Sequence, residues 1–120
     1  YEECLFRTSL TVINELLYIS TRKYYQTLRE ITGPYGLRRL ITSKEYPAPI
    51  VNGIQNLLKD LEVEVIVENV GYQDMIETAS SLKLLPSDTI IALTCRHHGI
   101  DTILTFDGDF KRVPWLKAIP

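Results

Sequence analysis

Apolar positions recur at helical spacing over residues 10–27, where Val12, Ile13, Leu16, Leu17 and Ile19 share one side. Thr8, Ser9 and Thr11 supply capping hydroxyls at its start. Gly33-Pro34-Tyr35-Gly36 breaks the pattern, and a short helix is expected over 35–42. Tyr46-Pro47-Ala48-Pro49 is a second break. Pro49 suits the first turn of a helix over 49–60, whose Ile50, Val51, Ile54, Leu57 and Leu58, with Leu61, share a side. Glu62 to Glu68 alternates around β-branched residues and reads as a strand. Helical spacing returns over 72–84 through Met75, Ile76, Ala79 and Leu82. Pro86-Ser87-Asp88 opens a nearly all-apolar helix over 88–98, with Gly99 as its stop. Thr102 to Phe106 reads as a short buried strand that runs into Asp107-Gly108-Asp109-Phe110. A last strand is expected around 116–119. Helices alternating with short apolar strands predict an α/β fold, a parallel sheet covered on both faces. No internal repeat, low-complexity segment or dividing linker interrupts the 120 residues, so one domain over 1–120 is expected.

Composition narrows the class. The 45% hydrophobic share excludes a disordered or fibrous chain. No run approaches the ~18 apolar residues of a membrane span. The acidic start is unlike a signal peptide. Cys4 and Cys95 lie far apart without CxxC spacing, so free thiols in a reducing, cytoplasmic setting are expected. The sole methionine is Met75 and the chain starts at Tyr1, so the true start is expected to lie upstream.

Charge is uneven. Residues 1–60 hold eight Lys/Arg and six Asp/Glu, a net of +2, while 61–120 hold five and nine, a net of −4. The window 18–46 carries Arg22, Lys23, Arg29, Arg38, Arg39 and Lys44 together with five of the seven tyrosines. Such a segment suits contact with phosphates and unpaired bases, or an ordinary solvated face.

The carboxylates carry the chemistry. Glu15 borders the apolar side of the first helix. Asp88 begins an apolar helix, where the helix dipole favours its ionised form. Asp107 and Asp109 follow an apolar strand, and open α/β sheets bind ligands beyond the carboxyl ends of strands. Each has a plainer alternative: a solvated boundary residue, an N-cap and a turn, respectively. If they converge, they repel unless a cation neutralises them, and an all-oxygen cluster selects Mg²⁺ or Mn²⁺.

Leu85-Pro86-Ser87-Asp88, the helix to His98, Gly99-Ile100-Asp101-Thr102 and Leu104-Thr105-Phe106-Asp107-Gly108-Asp109-Phe110 resemble the C-terminal half of PIN domains, the nuclease fold of VapC-type toxins. Ser9 to Leu17 is similar to that family's second acidic motif. The resemblance implies a three-layer α/β/α fold around a central parallel sheet, and a metal-dependent endoribonuclease. It assigns catalysis and Mg²⁺ or Mn²⁺ binding to Glu15, Asp88 and Asp107, with Asp109 as an auxiliary ligand. Thr105 matches the hydroxyl that often precedes the fourth acid. The family's first acid ends its first strand, and no aspartate occurs over 1–14, so that strand and acid are expected upstream. The domain thus reads as N-terminally incomplete. RNA is the implied substrate, with Arg22, Lys23, Arg38, Arg39 and Lys111 as candidate phosphate contacts. A cognate antitoxin and a homodimer are implied partners. The alternative is a non-catalytic PIN-like module that binds RNA or protein.

Other signals fall away. His97 and His98 are adjacent, so they diverge by about 100° on a helix and do not make an i,i+4 zinc pair. Gly33-Pro34-Tyr35-Gly36 lacks the residues of a phosphate loop, and no G-x-S-x-G elbow is present. A receiver or phosphatase would need an acidic pair after an early strand, and this chain has none. Trp115 reads as a core or dimer contact. Lys111 and Arg112 either meet phosphate or counter Asp107 and Asp109.

Overall fold

The computed structural model describes residues 5–28 and 36–120. Its elements run β1 (Arg7–Ser9), α1 (Leu10–Thr27), α2 (Gly36–Lys44), α3 (Ala48–Asp60), β2 (Glu64–Ile66), α4 (Tyr72–Leu82), α5 (Pro86–His97), β3 (Thr102–Leu104), a 3-10 helix (Gly108–Arg112) and β4 (Lys117–Ile119). All five expected helices form within two residues of their predicted bounds. The break at 33–35 lies outside the described residues, as do Cys4 and Arg29.

The chain divides into two compact units. The first comprises residues 1–8 and 12–65. Here β1 pairs with β2, and the Glu64 amide donates to the Phe6 carbonyl at 2.9 Å. Strand β1 was not anticipated, because three residues are too few to display an alternation. Tyr25 and Thr21 are buried on α1. The Tyr25 hydroxyl donates to the Glu45 carbonyl at 2.9 Å, tying α1 to the end of α2. Glu45 has φ of 64°, a left-handed stop that needs no glycine here.

The second unit comprises residues 9–11 and 66–120. Its core is α5, seven of whose twelve residues are buried and which packs against α4; Leu84, Phe110 and Val113 are buried in the same unit. Thr89 and Thr94 enter this core by donating to the Leu85 and Ile90 carbonyls, so their hydroxyls are satisfied on their own helix. Strands β3 and β4 run parallel, with Thr102 opposite Lys117 and Leu104 opposite Ile119. Pro86 opens α5, and Gly99 follows it with φ of 69°.

Three expectations need correction. The strand over Glu62–Glu68 is shortened to β2, because α3 runs to Asp60 and Leu61 and Glu62 complete its C-terminal turn. Thr102–Phe106 is not buried: Leu104 is 69% and Phe106 95% exposed. Among the described residues β3 has a neighbour only in β4, and a parallel strand needs cover on both faces to be buried. Finally, the hydroxyls at the start of α1 do not cap it unaided. The Glu68 carboxylate accepts from both the amide and the hydroxyl of Thr11, at 2.6 and 2.5 Å, where the helix dipole favours an anion. The buried Ser9 Oγ has no hydrogen-bond partner among the described residues.

Candidate metal centre

Two elements of the second unit, α5 and the 3-10 helix, bring Asp88, Asp107 and Asp109 together. Asp88 occupies the first turn of α5 and is 8% exposed. It is not the N-cap: that position is Leu85, whose side chain has no capping group. Pro86 starts the helix and Asp88 follows two residues later, so the carboxylate sits at the positive end of the helix dipole. Asp107 caps the 3-10 helix that follows β3. Its carboxylate accepts from the Asp109 amide at 2.9 Å, and its own amide donates to the Thr105 hydroxyl at 3.0 Å. This Asx turn aims both acids of the loop the same way.

One carboxylate oxygen from each of Asp88, Asp107 and Asp109 lies within 4.8 Å of the others. Three hard oxygen donors at that spacing fit a divalent cation such as Mg²⁺ or Mn²⁺. The donor set has no sulfur and no imidazole, so it does not match a structural zinc site.

Each acid of the loop also has a structural tether. Arg112 donates to Asp109 Oδ1 at 2.9 Å. The same guanidinium donates to the Leu82 and Lys83 carbonyls at 3.1 and 2.7 Å. Of the two readings open for Arg112, the structure thus shows the counter-charge. Lys111 is exposed.

The other predicted residues are distributed as follows. Glu15 is half-buried on α1 in the first unit, whereas the aspartate triad is assembled wholly within the second. Arg22 and Lys23 are exposed on α1, and Arg38 and Arg39 on α2. Lys23 borders a shallow groove with Ile19, Tyr24, Leu28 and Ile50. The tyrosines of this segment divide: Tyr25 is a core residue, and Tyr18 is half-exposed with its hydroxyl 3.4 Å from Arg22. Tyr35 lies outside the described residues. Trp115 is a packing residue, its indole N–H donating to the Ala92 carbonyl at 2.8 Å beneath the Arg96 guanidinium. His98 closes α5 with its Nε2 2.7 Å from the Val67 carbonyl.

The role of Thr105 was legible only as a resemblance, and the bridging role of Arg112 was not legible at all. Its partners Leu82 and Lys83 are some thirty residues away in sequence, and backbone carbonyls leave no mark in a sequence.

Comparison with known proteins gives the same direction. Ribonuclease VapC2 of Methanocaldococcus jannaschii is 31% identical over 74 residues, covering 52% of this chain and 50% of that protein. Ribonuclease VapC6 of the same organism is 37% identical over 43 residues, covering 36% of this chain and 28% of that protein. The chain thus spans half the length of the first relative and under a third of the second. No solved structure matches it at a comparable level of significance. The family model of the PIN domain matches residues 5–116, from before β1 to just short of β4, and the five helices with the parallel pair β3–β4 are consistent with its α/β fold. The chain belongs to the PIN domain family.

Proposed function

We propose that this protein is a metal-dependent endoribonuclease. The observation that carries the reading is the convergence of Asp88, Asp107 and Asp109 in a PIN domain. These three carboxylates would hold Mg²⁺ or Mn²⁺. When bound, such an ion supplies Lewis-acid polarisation of a phosphodiester and eases deprotonation of water. The residues themselves do the positioning. Thr105 and the Asp109 amide orient Asp107, and Arg112 orients Asp109. Asp88, fixed on a buried helix, is a candidate to orient the attacking water as general base. Glu15 is carried as a catalytic acid on the resemblance of segment 9–17 alone.

Three carboxylates repel a polyanion, so binding the substrate needs cations as well. The exposed Arg22, Lys23, Arg38, Arg39 and Lys111 are the candidates for phosphate contact. RNA is the proposed substrate, and both relatives bear the name ribonuclease. A toxin role with an antitoxin partner, and a homodimer, belong to the same proposal.

The test is cleavage of single-stranded RNA by the intact protein with Mg²⁺, with Mn²⁺ and with EDTA. Cleavage is expected with either ion and not with EDTA. Asp88→Asn should lose more than the roughly 100-fold that outer partners of a metal site are worth. Full activity in that variant, or in EDTA, rejects the mechanism. Mn²⁺ binding without cleavage favours the non-catalytic module.

A further inference from the structure

We propose that Arg112 is a positioning residue for the metal centre: its guanidinium locks Asp109 to the C-terminal carbonyls of α4 and so holds the carboxylate triad at cation-binding spacing. The inference rests on the metal reading above.

Three donors of one planar group are engaged at once. Nη1 meets Asp109 Oδ1 at 2.9 Å, Nε meets the Leu82 carbonyl at 3.1 Å, and Nη2 meets the Lys83 carbonyl at 2.7 Å. Leu82 is the last residue of α4 and Lys83 its cap, with φ of 56°. The last carbonyls of a helix have no partner within it and form the negative end of its dipole. They are therefore a natural anchor for a cation. A guanidinium can hold that anchor and still present a fork edge to a carboxylate, which an ammonium cannot do in the same geometry.

The consequence falls on Asp109. It lies in a five-residue 3-10 helix, which has little rigidity of its own. Asp107 is fixed from the β3 side through Thr105, and Asp88 is fixed by a buried helix. Arg112 is the tether from the α4 side. One oxygen of Asp109 is taken by Arg112, and a carboxylate has a second oxygen for a ligand.

Two effects compete. The positive charge of Arg112 opposes a nearby cation, whereas the order it imposes favours one. Its charge is already balanced by Asp109 and by the end of α4, so the ordering effect should win. As an ion pair it adds little to stability, because both side chains are 43% exposed.

The experiment measures Mn²⁺ affinity of the intact protein by titration calorimetry, and thermal unfolding of the metal-free protein. Variants are Arg112→Gln, Arg112→Lys and, as a control, Arg96→Gln. The control removes an ion pair with Asp74 and the contact over Trp115, both remote in role from the triad. Arg112→Gln is expected to weaken Mn²⁺ binding by about 10- to 100-fold, the range of outer-shell partners. Arg112→Lys should recover only part of it. Arg96→Gln should lower the melting temperature with unchanged Mn²⁺ affinity. Equal or tighter Mn²⁺ binding by Arg112→Gln overturns the proposal, since charge repulsion would then equal or outweigh ordering. So does a raised KM for RNA with unchanged Mn²⁺ affinity, which would make Arg112 a substrate contact. No Mn²⁺ binding by the unaltered protein overturns the metal reading itself, and this proposal with it.

Discussion

Helices α3 and α5 look alike as patterns and differ as structures. Both have a proline in the first turn, both carry a run of aliphatic residues, and they have 13 and 12 residues. Yet α5 buries seven residues and α3 buries none. Leu57 on α3 and Leu61 at its C-cap are 49% and 45% exposed, while Leu93 on α5 is 3% exposed. The difference lies in what each helix packs against. Helix α5 packs against α4 and takes the Trp115 indole N–H on its Ala92 carbonyl, and the aspartate triad includes a residue of its first turn. An amphipathic pattern states which side a helix would bury. It does not state whether the rest of the chain supplies the cover. The carboxylate that most needs a fixed position, Asp88, is on the helix with the firmer seat.

Cys95 offers the largest test of that contrast. It is buried on α5 as a free thiol, and burial raises its pKa by penalising the thiolate. Alkylation by iodoacetamide, followed at the Cys95 peptide by mass spectrometry, should be slowed at least ~10³-fold relative to the urea-unfolded protein. The reactive form is the thiolate, so the raised pKa keeps Cys95 protonated to higher pH than an exposed cysteine. Raising the pH from 7 to 9 should therefore leave it far slower than in the unfolded chain. Rapid labelling under native conditions would mean that α5 is no better seated than α3.

Truncation sharpens the same comparison in energy. Leu93→Ala removes a buried side chain and should cost about 2–5 kcal/mol in urea unfolding. Leu57→Ala, on a half-exposed site, should stay within about 1 kcal/mol. Equal costs for the two would erase the distinction between the helices.

How much of this was legible beforehand follows the same division. Helix positions came through because period and punctuation are local: Pro86 and Gly99 bracket α5, and Pro49 lies in the first turn of α3. The aspartate triad was legible because Asp88, Asp107 and Asp109 sit at element ends, where the chain turns toward a common point. What did not come through was non-local. The exposure of Leu104 and Phe106 depends on strand neighbours that an apolar run cannot report. The grip of Glu68 on Thr11 joins residues 57 apart, and the Arg112 bridge depends on backbone carbonyls. Tyr25 is the same residue type as the exposed Tyr18, and its burial and its bond to the Glu45 carbonyl depend on tertiary packing.

The Glu68 contact gives a test of intermediate size. Its carboxylate satisfies the Thr11 amide and hydroxyl at the positive end of α1. Glu68→Ala removes a capping anion and should cost about 1 kcal/mol, read as a lower urea midpoint with an unchanged slope. Glu68→Gln keeps an acceptor but not the charge, and should cost less.

The smallest expected effect concerns the pair between Arg7 on β1 and Glu64 on β2. The side chains approach to 3.5 Å but are 36% and 53% exposed. Water screens such a pair, and ordering two long side chains costs entropy, so exposed pairs contribute about 0–1 kcal/mol. Strand pairing here rests on the backbone, with the Glu64 amide donating to Phe6 at 2.9 Å. Arg7→Ala, Glu64→Ala and the double variant form a cycle that isolates the side-chain coupling. A coupling below about 0.5 kcal/mol, falling further in 0.5 M salt, is expected. A coupling above 2 kcal/mol would mean that the first unit, thin in buried side chains among the described residues, leans on surface charge where the second leans on its core.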